Sequence, residues 1–174
     1  GPMTGTVSGN TITNANSTTG PGIRVTTNGS NAAALTIQVE NNNISQIGNR
    51  GIEMINRDGN SVLNATVRSN TVSLTSPLAA DGIRIDAGAT SGPPADSGTV
   101  CADIAQNTST TVSGVFGIRV RQRFSTTYRL ESYGGSATDM TAVQSFLSTQ
   151  NNGATVSADF AVSGFQASSG CPAP

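Results

Sequence analysis

The sequence predicts an all-β solenoid of about four stacked coils, closed at its C-terminal end by a small cap that contains a helix. Three observations predict it. The word Gly-Ile-X-apolar occurs four times, as GIRV at Gly22, GIEM at Gly51, GIRI at Gly82 and GIRV at Gly117, at intervals of 29, 31 and 35 residues. A second word runs beside it: MTGTVSGNTI from Met3, LTIQVENNNI from Leu35, LNATVRSNTV from Leu63 and VCADIAQNTS from Val100. In that second word an Asn recurs at one place, as Asn10, Asn42, Asn70 and Asn107.

Each coil is read as three short strands. The first carries Leu35, Leu63 and Val100 in register, then Ile37, Ala65 and Ala102, then Val7, Val39, Val67 and Ile104. Apolar residues at every second position are the period of a strand with one buried face. The recurring Asn marks the turn that follows. Asn tolerates a left-handed backbone, and stacked Asn side chains hydrogen-bond along a stacking axis. Asn is also common in turns of any kind, but four in one register predict a ladder. The second strand begins two residues later, at Ile12, Ile44 and Val72. The third is the Gly-Ile word. Stacked strands cannot change length freely, so the uneven spacing is assigned to loops. The clearest loop is DAGATSGPPADSGT, Asp86 to Thr99.

In the Gly-Ile word the third residue points away from the core. In successive coils it is Arg24, Glu53, Arg84 and Arg119, so Glu53 falls between Arg24 and Arg84. Two positions on, Asp86 falls beside Arg121. As exposed cross-strand pairs these would each contribute about 0.2–1 kcal/mol.

After Arg119 the pattern changes. FSTTYRL, from Phe124 to Leu130, alternates as a strand. A helix is expected over residues 137–150, with Ser136 as its cap, Asp139 three residues on, and Met140, Val143, Phe146 and Leu147 on one apolar face. A strand is expected over residues 154–162, with Val156, Ala158, Phe160 and Val162 inward. The chain is divided accordingly into residues 3–130, the coils, and 131–174, the cap. An uncapped solenoid would leave apolar core and strand edges bare. Gly1-Pro2-Met3 resembles a cleavage scar ahead of an initiating Met, and the sequence is read as a piece of a longer chain.

Composition narrows the chemistry. Charged residues make up 11% of the chain, the net charge is −1, and Lys and His are absent, so every basic residue is an Arg. Nucleic acid is not an expected partner, because no large cationic footprint exists. Without His, the many Ser and Thr hydroxyls lack the commonest activating base. No phosphate loop or metal-ligand spacing occurs, and no run is long and apolar enough to span a bilayer. No catalytic residue, metal or cofactor is assigned.

Residues 3–130 resemble the right-handed parallel β-helix of the pectate-lyase-like superfamily. Carbohydrate-cleaving members of that fold need clustered carboxylates, and its lyases hold calcium on acids and use an Arg or Lys base. Here Asp81 and Asp86 flank GIRI, and Asp103 lies on a neighbouring word; Asp86 with Arg84 is the candidate pair, against the simpler reading of surface ion pairs. The stretches GIRVRQRFSTTYRL, YGGSATDMTAVQSFL and GCPAP, spanning residues 100–174, resemble the terminal region of very large bacterial surface proteins with β-helix repeats. That resemblance implies a secreted or cell-surface protein.

The function expected is a non-enzymatic structural or adhesive terminal module of such a protein. A polysaccharide lyase or hydrolase and a phage-type receptor-binding spike are the alternatives. Arg119, Arg121 and Arg123 would project from one face with too few acids to match, offering an anionic surface glycan or a protein receptor a site. Otherwise they form a solvated stripe partly paired with Glu131 or Asp86. The flat Thr ranks of ice-binding solenoids are missing, since Thr36, Asn64 and Cys101 succeed one another on the outward face. Met3 to Ile12, as the first coil, would have lost upstream coils of the same chain and would fray or associate weakly end to end. Cys101 and Cys171, an even count in an exported protein, are expected to pair and clamp the tail.

Overall fold

A computed structural model of the chain describes residues 1–13, 20–29, 33–89 and 96–174. Fifteen strands and one helix are present among them, and every strand pairing is parallel. The strands form three open sheets, and the chain visits the sheets in turn.

The first sheet collects the Leu35-type words. It runs β1 (Met3–Ser8), β4 (Ala34–Glu40), β7 (Val62–Arg68), β10 (Thr99–Ala105), β13 (Thr127–Glu131) and β15 (Phe165–Ser168). The second sheet collects the words after the Asn: β2 (Thr11–Thr13), β5 (Asn43–Ser45), β8 (Thr71–Leu74) and β11 (Thr108–Thr111). The third collects the Gly-Ile words: β3 (Ile23–Gly29), β6 (Ile52–Gly59), β9 (Asp81–Ala87) and β12 (Phe116–Gln122), with β14 (Val156–Phe160) added from the tail. Register follows the repeat: Leu35 pairs with Leu63, Ile44 with Val72, and Ile52 with Ile83. Val39, Ile44, Met54, Leu63, Val72 and Ile85 are fully buried and form part of one apolar cluster shared by the sheets.

The repeated Gly has a steric cause. A Cβ on Gly22 would lie 2.8 Å from the Gly51 carbonyl oxygen, and one on Gly51 would lie 2.7 Å from that of Gly82. At Gly82 it would lie 2.5 Å from the Gly117 oxygen and 2.0 Å from Ser109 Oγ. Each word therefore carries its neighbour's backbone where a side chain would begin. Gly82→Ala is expected to destabilise the fold by about 1–3 kcal/mol through overpacking. Gly134→Ala, where a Cβ would meet nothing within 4 Å, is the control. Urea midpoints that shift equally in both variants would contradict this account.

Several expectations change in detail. The left-handed residue at each turn precedes the ladder Asn: Gly9, Asn41, Ser69 and Gln106 have φ of 55° to 68°. The Asn itself is thereby free to turn its amide along the stack. The expected loop from Asp86 begins later, because Asp86 and Ala87 complete β9; residues 90–95 of it lie outside the described residues. The helix is α1 (Met140–Gln150), and its N-cap is Asp139, whose carboxylate accepts from the Ala142 main-chain N–H at 3.0 Å. Ser136 instead offers its carbonyl to the Asp139 N–H. Val162 lies beyond β14 and is exposed, while Val143 and Leu147 are buried.

The strand β15, not expected from the sequence, extends the first sheet. It places Phe165 edge-on to Tyr128, with ring centroids 4.9 Å apart. Both rings are fully buried, and the Tyr128 hydroxyl has no hydrogen-bond partner. Burial pushes its pKa well above the ordinary tyrosine value. An unpaired buried hydroxyl costs about 1–3 kcal/mol. Tyr128→Phe should therefore raise the unfolding free energy by at least about 1 kcal/mol, and a lower melting temperature in that variant would show that the hydroxyl is useful.

Candidate functional site

Two constellations of polar side chains run across the strands. The first is a charge cluster on the third sheet. Its register row is Arg24, Glu53, Arg84 and Arg119, and the next is Asp86 beside Arg121. The sequence suggests exposed pairs; the acids are instead buried. Glu53 retains 3% of its exposure, Asp81 1% and Asp86 none. Alternation gives the direction a side chain leaves the strand, not what the long arginines of adjacent strands then cover.

The pairing also differs from simple neighbour matching. Glu53 forms an ion pair with Arg24 Nε at 3.1 Å and accepts from Arg50 Nη1 at 2.8 Å, and does not pair with Arg84. Arg50, to which no repeat position points, sits in the turn just before Gly51 and also lies 3.5 Å from Asp81. Arg84 turns instead to Asp86, at 2.9 Å from both its Nε and Nη2. Arg121 grips the same carboxylate with Nε and Nη2, in a two-pronged contact. Burial pushes the Asp86 carboxyl up to about 7, with Arg84 pulling the other way. Arg121 adds two charge-assisted hydrogen bonds to that carboxylate. Burial raises Asp81 too, against Arg119, Arg84 and Arg50.

The expected row of unmatched arginines is therefore corrected. Arg121 is committed to Asp86, and its side chain keeps 13% of its exposure. Arg119 lies between Asp81 and Asp159, at 3.7 and 3.8 Å, with its guanidinium over the Phe116 ring. Arg123 is not on the strand at all. It opens the turn after β12, where its N–H donates to the Ala87 carbonyl and its own carbonyl accepts from Thr126. The candidate pair Asp86 and Arg84 does come together, but both carboxylate oxygens are taken by arginines, and no side of the acid faces solvent. Asp103 lies on the first sheet and pairs with Arg68. Among the described residues no group of three His, Cys, Asp or Glu side chains is placed to hold a metal ion.

The second constellation is the row of asparagines. Asn10 donates from its main-chain N and its Nδ2 to Asn42 Oδ1, at 3.0 and 2.9 Å. Asn42 repeats both bonds to Asn70 Oδ1, at 3.1 and 3.0 Å, and Asn70 to Asn107 Oδ1, at 3.0 Å each. Asn107 then donates twice to Asn151 Oδ1, at 3.1 and 2.8 Å. Asn151 belongs to no repeat. It is the C-cap of α1, so helix and ladder end on one residue. No repeat spacing leads to Asn151, so its part in the ladder was not legible in the sequence.

The tail is tied at three further places. Cys101 and Cys171 form a disulfide, with Cα atoms 5.4 Å apart. The Cys171 N–H donates to Glu131. Gln122, fully buried, donates to the carbonyls of Phe124 and Thr126 and accepts from the N–H groups of Ala161 and Val162. Nothing in the sequence distinguishes Gln122, whose place is set by the last turn of the third sheet.

No family model, no curated protein and no solved structure matches the chain.

Proposed function

We propose that the chain is the terminal module of a long right-handed parallel β-helix exported to a bacterial surface. On this reading it ends and steadies a stalk or adhesin and does not cleave a substrate. One observation carries the reading: the two ends of the stack are unlike. At one end β14, β15, α1, the disulfide and Asn151 cover the last strands. At the other, β1, β2 and β3 have no helix against them among the described residues, and Val7, Ile12 and Val25 are left only half-buried. A free-standing solenoid needs both ends closed, whereas a terminal module needs only one. The carboxylates that a carbohydrate-cleaving reading requires are buried under arginines, which favours a structural use of those charges.

The test is a panel of neutral and acidic polysaccharides, assayed for new reducing ends and for unsaturated products. No release above the buffer control is expected. Turnover that is lost in both Asp86→Asn and Asp86→Ala, with far-UV circular dichroism unchanged, would replace this proposal with the enzymatic one. A stable trimer in sedimentation would favour a receptor-binding spike.

A further inference from the structure

We infer that the bare end of the stack is a directional docking site for one kind of segment: a further parallel strand–turn–strand that presents an Asn at its turn. The inference rests on the terminal-module reading and adds what that end recognises.

The asparagine row has a sense. Each inner rung, Asn42, Asn70 and Asn107, gives two donors to the oxygen of the next and receives two on its own oxygen. At the capped end the row is closed. The Asn151 Nδ2 donates to the carbonyls of Ile104 and Leu147, at 2.9 and 2.8 Å, and its N–H to that of Ser148. No donor hydrogen of Asn151 remains for another rung. At the bare end Asn10 spends its donors on Asn42 and on the Ser8 carbonyl, and no donor among the described residues reaches Asn10 Oδ1. That end therefore offers an acceptor and needs a donor pair.

The apolar residues there are incomplete in the same way. Val39, Ile44 and Met54 are fully buried, but their register partners Val7, Ile12 and Val25 are only half-buried, and Met3 is exposed. A cavity of about 280 Å³ lies where Met3 and Thr26 meet Ala34 and Leu35. A second copy does not fit. Head to head, two such ends would oppose acceptor to acceptor; head to tail, the partner's end is closed by α1 and has no donor to give. A parallel segment with an Asn turn supplies the donors, strand edges and apolar row together.

The experiment extends the chain with its own coil. Residues 35–62 are duplicated and joined directly ahead of Met3, so that the copied Asn42 falls one rung before Asn10. A second version carries Asn42→Leu in the copied block alone. Hydrogen exchange is followed in β1 and β2, with limited proteolysis of the block as an independent reading. The block should resist proteolysis and slow exchange in β1 and β2 at least tenfold, and Asn42→Leu should remove most of that gain. Equal protection by both versions would overturn the Asn-specific inference and leave the terminal-module reading standing. A block that is cleaved from a still-folded chain, with no added protection in either version, would overturn both. Concentration-dependent dimerisation of the unextended chain, abolished by Asn10→Ala, would make a second copy the occupant and overturn the inference alone.

Discussion

Asn70→Ala is expected to lower the unfolding free energy by about 4 kcal/mol, because it removes a rung from the middle of the stack. The Asn70 side chain donates to Val39 O, Arg68 O and Asn107 Oδ1, and accepts from the N–H and the Nδ2 of Asn42. Truncation leaves the Asn42 N–H and the Val39 carbonyl in a buried site without these partners, and each such orphan costs about 1–3 kcal/mol. Asn10→Ala removes the same chemistry from the exposed end, where water replaces it, and should cost below about 1 kcal/mol. Urea unfolding of the two variants measures the contrast. Similar small losses in both would mean that the ladder follows the stack without holding it.

Loss of the disulfide should be as costly. Cys101 and Cys171 are 70 residues apart in sequence. Closing a loop of that length limits the unfolded chain by about 4 kcal/mol. The native geometry is ready for the bond, since Cys101 is buried in β10 and the tail folds back beside β13 and β15. The double variant Cys101→Ala, Cys171→Ala is the measurement, compared with the oxidised protein in denaturant. Exchange should accelerate first in β15 and in residues 169–174, and later in β4 and β7. A midpoint unchanged by the double variant would mean that hydrogen bonds such as those of Gln122 hold the tail without the clamp.

The parts legible in the sequence were those where one physical demand is repeated. A Gly at 22, 51, 82 and 117 records one backbone approach made four times, and an Asn at 10, 42, 70 and 107 records one amide position. Alternation in the Leu35, Leu63 and Val100 words assigned those strands to one sheet. What was illegible happens once. Asn151 ends the asparagine row from a helix C-cap, Gln122 satisfies four backbone groups of two separate segments, and β15 is a short strand without a repeat partner. The charge cluster was half legible. Register placed Asp86 beside Arg121, but Arg50 enters from a turn, and Arg84 prefers a carboxylate on its own strand to Glu53 across from it. Burial of Glu53, Asp81 and Asp86 depends on how long arginines lie over the sheet, and side-chain length is not written in a period-two pattern.

The covalent link between Cys101 and Cys171 also divides the molecule mechanically. Tension applied to the two ends of this sequence reaches β1 first, an edge strand held on one side, and would peel the strands away in chain order. Once the pull reaches Cys101 it passes through the sulfur–sulfur bond to Cys171 and bypasses the residues between. Only the residues ahead of Cys101 and the last few after Cys171 can then lengthen, by about 3.3–3.6 Å each. The ratchet of strands would give way one at a time, while β11, β12, β13, α1, β14 and β15 remain slack in a closed loop. Under load the oxidised chain thus behaves as a fixed tip on an extensible shaft, and reduction of one bond adds roughly two-thirds to the contour it can release.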